Sequence, residues 1–195
     1  MIAPLYVFVF AGLFSPGPNV ILLTASGARF GFRPTLPHVL GVAIGVGITA
    51  GLTGFGIGAL LTAMPALQLV LQIIACGWIL YMAWKLWTAQ SAGAQQKDDG
   101  RDRPFTFVEA VLFQWVNPKI WAIAVAATSY TEGAGPVESA WLLATAFSGI
   151  NLGVCLFWSF AGSLLTYILT SPVAFRVFMR GMALLLGFSA LLVFL

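Results

Sequence analysis

Charge is what this sequence lacks most. Of its 195 residues, 9 are Lys or Arg and 6 are Asp or Glu, so 8% are charged and 60% hydrophobic. A soluble domain carries about 25% charged residues. A water-soluble globule is therefore excluded, and a membrane becomes the solvent. There is a single histidine, His38, and no Asp or Glu lies near the middle of a long apolar run, so a clustered metal site at depth has no ligands. The two cysteines, Cys76 and Cys155, have no CxxC or histidine neighbour. They are read as small packing residues, not as a zinc site or redox dithiol. No basic patch interleaved with aromatics points to nucleic acid. No nucleotide-binding, hydrolase or metalloenzyme motif is present, so no cofactor, metal or enzymatic activity is expected. The apolar start lacks the basic n-region of a signal peptide and reads as a retained first span.

What the sequence has is apolar length. Runs fall at roughly 3–28, 37–62, 66–89, 105–130, 138–165 and 173–195, each long enough for the ~20 residues of a spanning helix. The expected fold is all-α, a polytopic membrane protein of six transmembrane helices. Short turns separate most runs, and Arg29 to Pro37 reads as a short basic loop. Gln90 to Pro104 (QSAGAQQKDDGRDRP) is the one long polar stretch. Arg29 and Arg33 flank the first loop, Lys85, Lys97, Arg101 and Arg103 the third, and Arg176 and Arg180 the fifth. The ninth basic residue, Lys119, lies inside span 4. By the positive-inside rule the odd loops are cytoplasmic and both termini lie outside.

The polar stretch divides the chain into three spans and three spans. Gly45 and Gly149, Gly58 and Gly162, and Gly77 and Gly181 each stand 104 positions apart, and Pro18 and Pro118 stand 100 apart. Leu13-Phe14 is echoed by Leu112-Phe113. This pattern predicts a repeat: one transmembrane domain over 1–195, with repeat one at 1–89, a cytoplasmic linker at 90–104 and repeat two at 105–195. Three spans per unit make the repeat inverted, a plan common among secondary transporters.

Helix breakers stand at matching places in the two halves. Span 1 carries Phe14-Ser15-Pro16-Gly17-Pro18-Asn19, and span 4 carries Trp115-Val116-Asn117-Pro118-Lys119. Both sit about 12 residues into their spans, ~18 Å deep in a core ~30 Å thick. Proline removes a donor and clashes with the preceding turn, so helices 1 and 4 are expected to break there. Ser15 and Asn117 are expected to cap the restarted half-helices, with proline at or near the first position. Irregular backbone at that depth is tolerated only where protein buries it or it lines a cavity. The candidate substrate-binding residues are Ser15, Pro16, Gly17, Pro18, Asn19, Trp115, Asn117, Pro118, Lys119 and Asn151. Helix N-termini and Lys119 suit a carboxylate. Carbonyl ends and Trp115 suit a cation. An amino acid has both groups.

Other polar residues have plainer readings. Lys119 can instead snorkel to the interface, and Asn151 can simply bond a neighbouring helix. Gln72 and Gln114 read as links between helices, and Glu109 and His38 as wet residues near the cytoplasmic interface. Gly41, Gly45, Gly47, Gly51, Gly54 and Gly58 form GxxxG pairs in span 2. Such spacing lets backbones approach closely. Packing within the chain is expected, and a homodimer face or a sliding surface is the alternative.

These residues resemble the lysine exporter (LysE/RhtB) family of bacterial inner-membrane amino-acid efflux proteins. The resemblance spans nearly the whole chain. It rests on Pro16-Gly17-Pro18 followed by a short polar residue, Gly31 with the glycine-rich span 2, Gly77 with Tyr81, and Asn117-Pro118-Lys119. It implies export of amino acids or related small zwitterions across the inner membrane, driven by protons as the coupling ion. It carries the family's functional emphasis to Pro16, Gly17, Pro18, Asn19, Asn117, Pro118 and Lys119. Proton coupling without a deep carboxylate leaves Lys119, Glu109 or the substrate itself as the carrier. The alternatives are export of another small solute or cation, and a non-transporting membrane scaffold. A thiol–electron shuttle would need cysteines in equivalent spans, and Cys76 and Cys155 fall in spans 3 and 5. The orientation is directly testable. Single cysteines replacing Ala94 and Ala134 should be labelled by an impermeant thiol reagent from opposite sides of the membrane. Labelling of both from one side contradicts the assignment.

Overall fold

Each proline-marked break ends one helix and starts the next. The computed structural model describes residues 2–58, 63–89 and 103–191. Its helices are α1 (Ile2–Phe14), α2 (Pro18–Phe30), α3 (Phe32–Gly54), α4 (Pro65–Trp87), α5 (Phe107–Trp115), α6 (Pro118–Ala127), α7 (Pro136–Leu164) and α8 (Pro172–Leu191), with short 3-10 turns at Thr128–Thr131 and Leu165–Tyr167. Four helices are long and apolar enough to cross a membrane, and up to six spans result if each bent pair counts as one. The bent pairs are α1 with α2, at 58°, and α5 with α6, at 64°. The protein is thus all-α and polytopic, with breaks where spans 1 and 4 were expected to break. The end of span 2, most of the 90–104 linker and the end of span 6 lie outside the described residues.

Proline occupies the opening turn of α2, α4, α6 and α7. An N–H there has no partner inside the helix, so its loss costs little. The expected loop from Arg29 to Pro37 is a correction. Gly31 alone separates α2 from α3, with φ 87 and ψ 169. That left-handed φ is open to glycine and strained for other residues. Pro34 falls in the first turn of α3, where no donor is needed, and Pro37 is absorbed within the helix.

Small residues set the packing. A Cβ on Gly41 would meet the Phe107 backbone and Ala110, and one on Gly45 would meet Gln114 and Val111. Gly47 abuts Ser148 and Ala144, and Gly54 abuts the Ser139 backbone. α3 therefore lies between α5 and α7, one glycine face for each, and the GxxxG residues pack within the chain as expected. α2 crosses α7 equally closely, at Gly27 against Ser159 and Gly162 against Thr24. Without a hydrophobic drive between helices in lipid, such close approaches supply the contact that holds a bundle. Of the glycines that recur at the 104 offset, Gly58 and Gly162 are tightly packed, whereas Gly77, Gly149 and Gly181 meet nothing within 4 Å.

One apolar cluster joins α1, α2, α3, α5, α6 and α7 through Val9, Val42, Val46, Ile120 and Phe147. A second joins α4 and α8 to α2 and α5 through Ile79, Met82, Phe113, Met179 and Leu186. The Arg180 guanidinium stands 4.9 Å from the Trp87 ring centroid and ties α4 to α8. Burial in α4 is confined to its second half, from Ala75 to Leu86. Leu67, Leu69, Val70 and Ile73 of its first half are exposed, and this splay opens space beside the breaks. Gly162→Leu should lower stability by about 3 kcal/mol, the upper end of overpacking penalties. Gly149→Leu should leave it nearly unchanged. Unfolding in detergent measures both, and equal losses at the two sites contradict the packing described.

Candidate functional site at the two helix breaks

The first break leaves α1 with a carbonyl end and α2 with an amide end. α2 is capped by Gly17 in extended conformation, with Pro18 following. This corrects the expectation for Ser15. Its hydroxyl is not the cap; it donates back to the Gly12 carbonyl at 2.8 Å. A Ser-Pro-Gly-Pro sequence carries two prolines, and the second one sets the helix start. The second break follows the expected plan more closely. Asn117 is the cap residue of α6 and Pro118 takes the first position, but the Asn117 side chain caps no N–H. It donates instead to Gln114 Oε1 at 3.4 Å.

Two links join the breaks, one on each flank. Asn19 Nδ2 donates to Gln114 Oε1 at 2.8 Å, and Gln114 Nε2 returns a bond to Asn19 Oδ1 at 3.2 Å. Gln114 is fully buried and also bonds the Ala110 carbonyl, so its reading as a link between helices holds. On the other flank Lys119 Nζ donates to the Ser15 carbonyl at 2.6 Å, the Ser15 hydroxyl at 2.9 Å and the Pro16 carbonyl at 3.4 Å. The lysine is in the first turn of α6, whose amide end repels a cation. It reaches to the carbonyl end of α1, which attracts one. Lys119 is therefore not extended toward an interface. It lies against Gly17, where a Cβ would stand 2.8 Å from its Cδ and 2.9 Å from its Nζ.

A cavity of about 630 Å³ opens beside these links. Pro16, Gly17, Pro18, Trp115, Asn117, Pro118 and Lys119 line it on one side. Gln68, Gln72 and Ile79 of α4 and Ser189 of α8 face them. The cavity runs on past Trp121 and Ala122 to Val125 and Gly58, away from the end that carries Arg29, Lys85 and Arg103. Trp121 Nε1 donates to the Trp115 carbonyl at 2.9 Å, which braces the turn between α5 and α6.

A second void, of about 10 Å³, lies on the opposite side of the breaks. It is lined by Gly17, Asn19, Asn117, Lys119, Asn151 and Trp158, among others. Asn117 Oδ1, Asn151 Nδ2 and Trp158 Nε1 are buried without a protein partner. Two donors and one acceptor around so small a space match the bonding capacity of one water. Gly17, Asn117 and Lys119 line both spaces and form the wall between them.

Of the residues expected at the site, Pro16, Gly17, Pro18, Trp115, Asn117, Pro118 and Lys119 meet at the cavity, and Ser15 adjoins it through Lys119. Asn19 and Asn151 face the inner void instead. Trp121 and Trp158 were not anticipated. Trp121 follows Pro118 by three positions and Trp158 follows Asn151 by seven, so each helical face was readable. His38 corrects the expectation of a wet residue. It is 2% exposed, both ring nitrogens lack a partner among the described residues, and the ring sits 4.9 Å from Phe105. Glu109 is exposed as expected. It closes a capping box with Thr106 and takes two bonds from Arg103, at 2.7 and 2.9 Å. Those bonds raise the Arg103 pKa above its ordinary value. Cys155 is buried, Cys76 is half-buried, and both are free thiols.

Fold and site together define a polytopic helical membrane protein whose two broken helices meet beside a largely apolar cavity with Lys119, Asn117, Gln68, Gln72 and Ser189 in its wall. The LysE type translocator family matches residues 10–195, and the chain belongs to that family. Among its relatives, the cysteine/O-acetylserine efflux protein of Salmonella choleraesuis (strain SC-B67) is 26% identical over 129 residues, 66% of this chain and 64% of the relative. The protein of that name from Escherichia coli O6:H1 is 28% identical over 130 residues, with the same coverage. The chain thus aligns with somewhat less than two thirds of the length of these relatives. No solved structure matches the chain.

The amide pair is open to a direct test. Asn19→Leu should destabilise by about 1–3 kcal/mol, because it strands the buried Gln114 amide, and Gln114→Leu should also destabilise, because it leaves the half-buried Asn19 amide without its partner. The double variant should lose less than the two single losses added together. Unfolding in detergent reads the cycle, and strict additivity contradicts the pairing.

Proposed function

We propose that the chain is a secondary exporter of small amino acids or related zwitterions. The observation that carries this reading is the wall of the 630 Å³ cavity. There, the Lys119 ammonium, the Pro16 carbonyl and the starts of α2 and α6 come together, with the Ser15 carbonyl bonded to the same ammonium. A zwitterion needs opposite charges met within a few ångströms. The carbonyl end of α1 supplies the negative pole, and the amide ends of α2 and α6 supply the positive one. The cavity volume falls within the ~300–1,000 Å³ usual for small-ligand sites. Membership of a translocator family and the efflux function named for its relatives point the same way.

In this reading the halves 1–89 and 105–195 are inverted repeats of one transmembrane domain, joined by the linker at 90–104. α1–α2 corresponds to α5–α6, α3 to α7, and α4 to α8. The α4–α8 pair is the element that moves in alternating access. Within the pair, α4 is buried only in the half nearer the basic end, whereas the buried residues of α8 run from Phe175 to Ala190. With the basic end cytoplasmic, the conformation described is open toward the outside of a bacterial inner membrane. The Asn19–Gln114 pair then closes the cytoplasmic side, and proton antiport supplies the drive. Cysteine and O-acetylserine are the first substrates to try, and the chain acts without enzymatic chemistry.

An extracellular amino-acid profile tests the proposal. Cells overexpressing the chain should accumulate one or a few amino acids outside. Cells carrying Pro118→Ala at equal membrane level should not, since the start of α6 is lost. Equal profiles for the two, with both proteins inserted, contradict an exporter built on the breaks.

A further inference from the structure

The Lys119 ammonium occupies a cradle that is made for an ammonium but is not made for a lysine in particular. Its acceptors are the Ser15 carbonyl, the Ser15 hydroxyl and the Pro16 carbonyl. All three belong to the break after α1, where the helix ends and its last carbonyls lack intrahelical donors. Nothing in this set recognises the length or shape of the side chain that brings the cation. The cradle also borders the cavity, because Pro16, Gly17 and Lys119 all line it. An alkylammonium arriving through the cavity meets the Pro16 carbonyl in its wall, and it reaches the two Ser15 acceptors, which are not part of that wall, only where Lys119 withdraws.

We propose that Lys119 is a tethered stand-in for the substrate's own ammonium group. It fills the cradle when the site is empty and gives it up when a primary amine from the cavity takes its place. This inference deepens the exporter reading and rests on it for its function. The displaced Lys119 ammonium is then free to pair with the carboxylate of the same zwitterion. One residue thereby serves both poles of the ligand, in sequence. The arrangement also explains how the break stays neutralised in an empty protein that has no carboxylate at depth. In a low-dielectric bundle the bare carbonyl end of α1 is costly, and a built-in cation removes that cost whenever substrate is absent. Two states of comparable energy, one filled by Lys119 and one by substrate, are what alternating occupancy requires.

The geometry gives the exchange a handle. Gly17 leaves room for the lysine arm, and a methyl group there would press on its Cδ and Nζ at 2.8 and 2.9 Å. Gly17→Ala therefore pushes Lys119 off the cradle without removing its charge, whereas Lys119→Met removes the charge and keeps most of the volume.

The test is binding of methylammonium to the purified protein in detergent, read as a shift in thermal unfolding. Tetramethylammonium, of equal charge but with no N–H donor, is the control. In Lys119→Met the cradle is vacant, and methylammonium in several-fold excess over its Kd should raise the unfolding temperature by about 2–4 °C. Tetramethylammonium should not. The wild-type protein, in which Lys119 competes for the cradle, should respond to methylammonium by a clearly smaller shift and not to tetramethylammonium. Gly17→Ala should respond as Lys119→Met does and carries the test if that variant does not fold. Equal responses to the two cations, an equal response in wild type, or no response in the folded variants overturns the proposal. The assay involves no transport. A methylammonium response in a protein that exports no amino acid would sink the exporter reading and leave the cradle standing. Export without such a response would do the reverse.

Discussion

The bond from Lys119 to the break after α1 is the interaction on which the rest of the site depends. A helix that ends at membrane depth leaves its last carbonyls without intrahelical donors. A lysine in the first turn of a helix that starts at the same depth suffers the opposite defect. Each break by itself is unfavourable. Placed side by side, they correct one another, with Nζ 2.6 Å from the Ser15 carbonyl. Asn19 and Gln114 make a second, neutral correction on the other flank. The prolines create the problem and the polar residues next to them resolve it, so PGPN and NPK are best understood as one constellation split across the chain.

The packing around the breaks follows from the need to hold them at fixed separation while leaving one side open. Glycines on two faces of α3 draw α5 and α7 close, and the α2–α7 crossing at Gly27 and Gly162 fixes the third contact. These helices make a core with little room for movement. α4 and α8 join it through a separate cluster, and the first half of α4 stays exposed. A cavity of about 630 Å³ results between a tight layer and a looser one.

Much of this was legible in the sequence. The spans followed from apolar length, the breaks from proline chemistry, and the candidate residues from matching depth in the two halves. What the sequence hid was direction. Lys119 was placed at the site by its position, yet only the fold shows that it turns to the opposite break. Ser15 looked like a cap because serine favours that place, but a second proline two residues on moved the helix start to Gly17. The stretch from Arg29 to Pro37 reads as a loop because it is a short basic segment between two apolar runs, yet Gly31 alone breaks the helix there. Pro34 falls in an opening turn, where no donor is required. His38 reads as wet from its place near the cytoplasmic interface, and the aromatic ring of Phe105 that packs against it comes from a distant part of the chain.

On the proposed function, substrate binds in the cavity beside the two breaks. The rate at which a methanethiosulfonate reagent modifies Ala122→Cys, with Cys76 and Cys155 replaced, tests that claim most directly. Ala122 lines the cavity and is exposed within it. O-acetylserine should slow the modification in a saturable manner, because a ligand seated at the breaks covers this wall. A rate indifferent to every amino acid tried would contradict the account and move the substrate path elsewhere in the bundle.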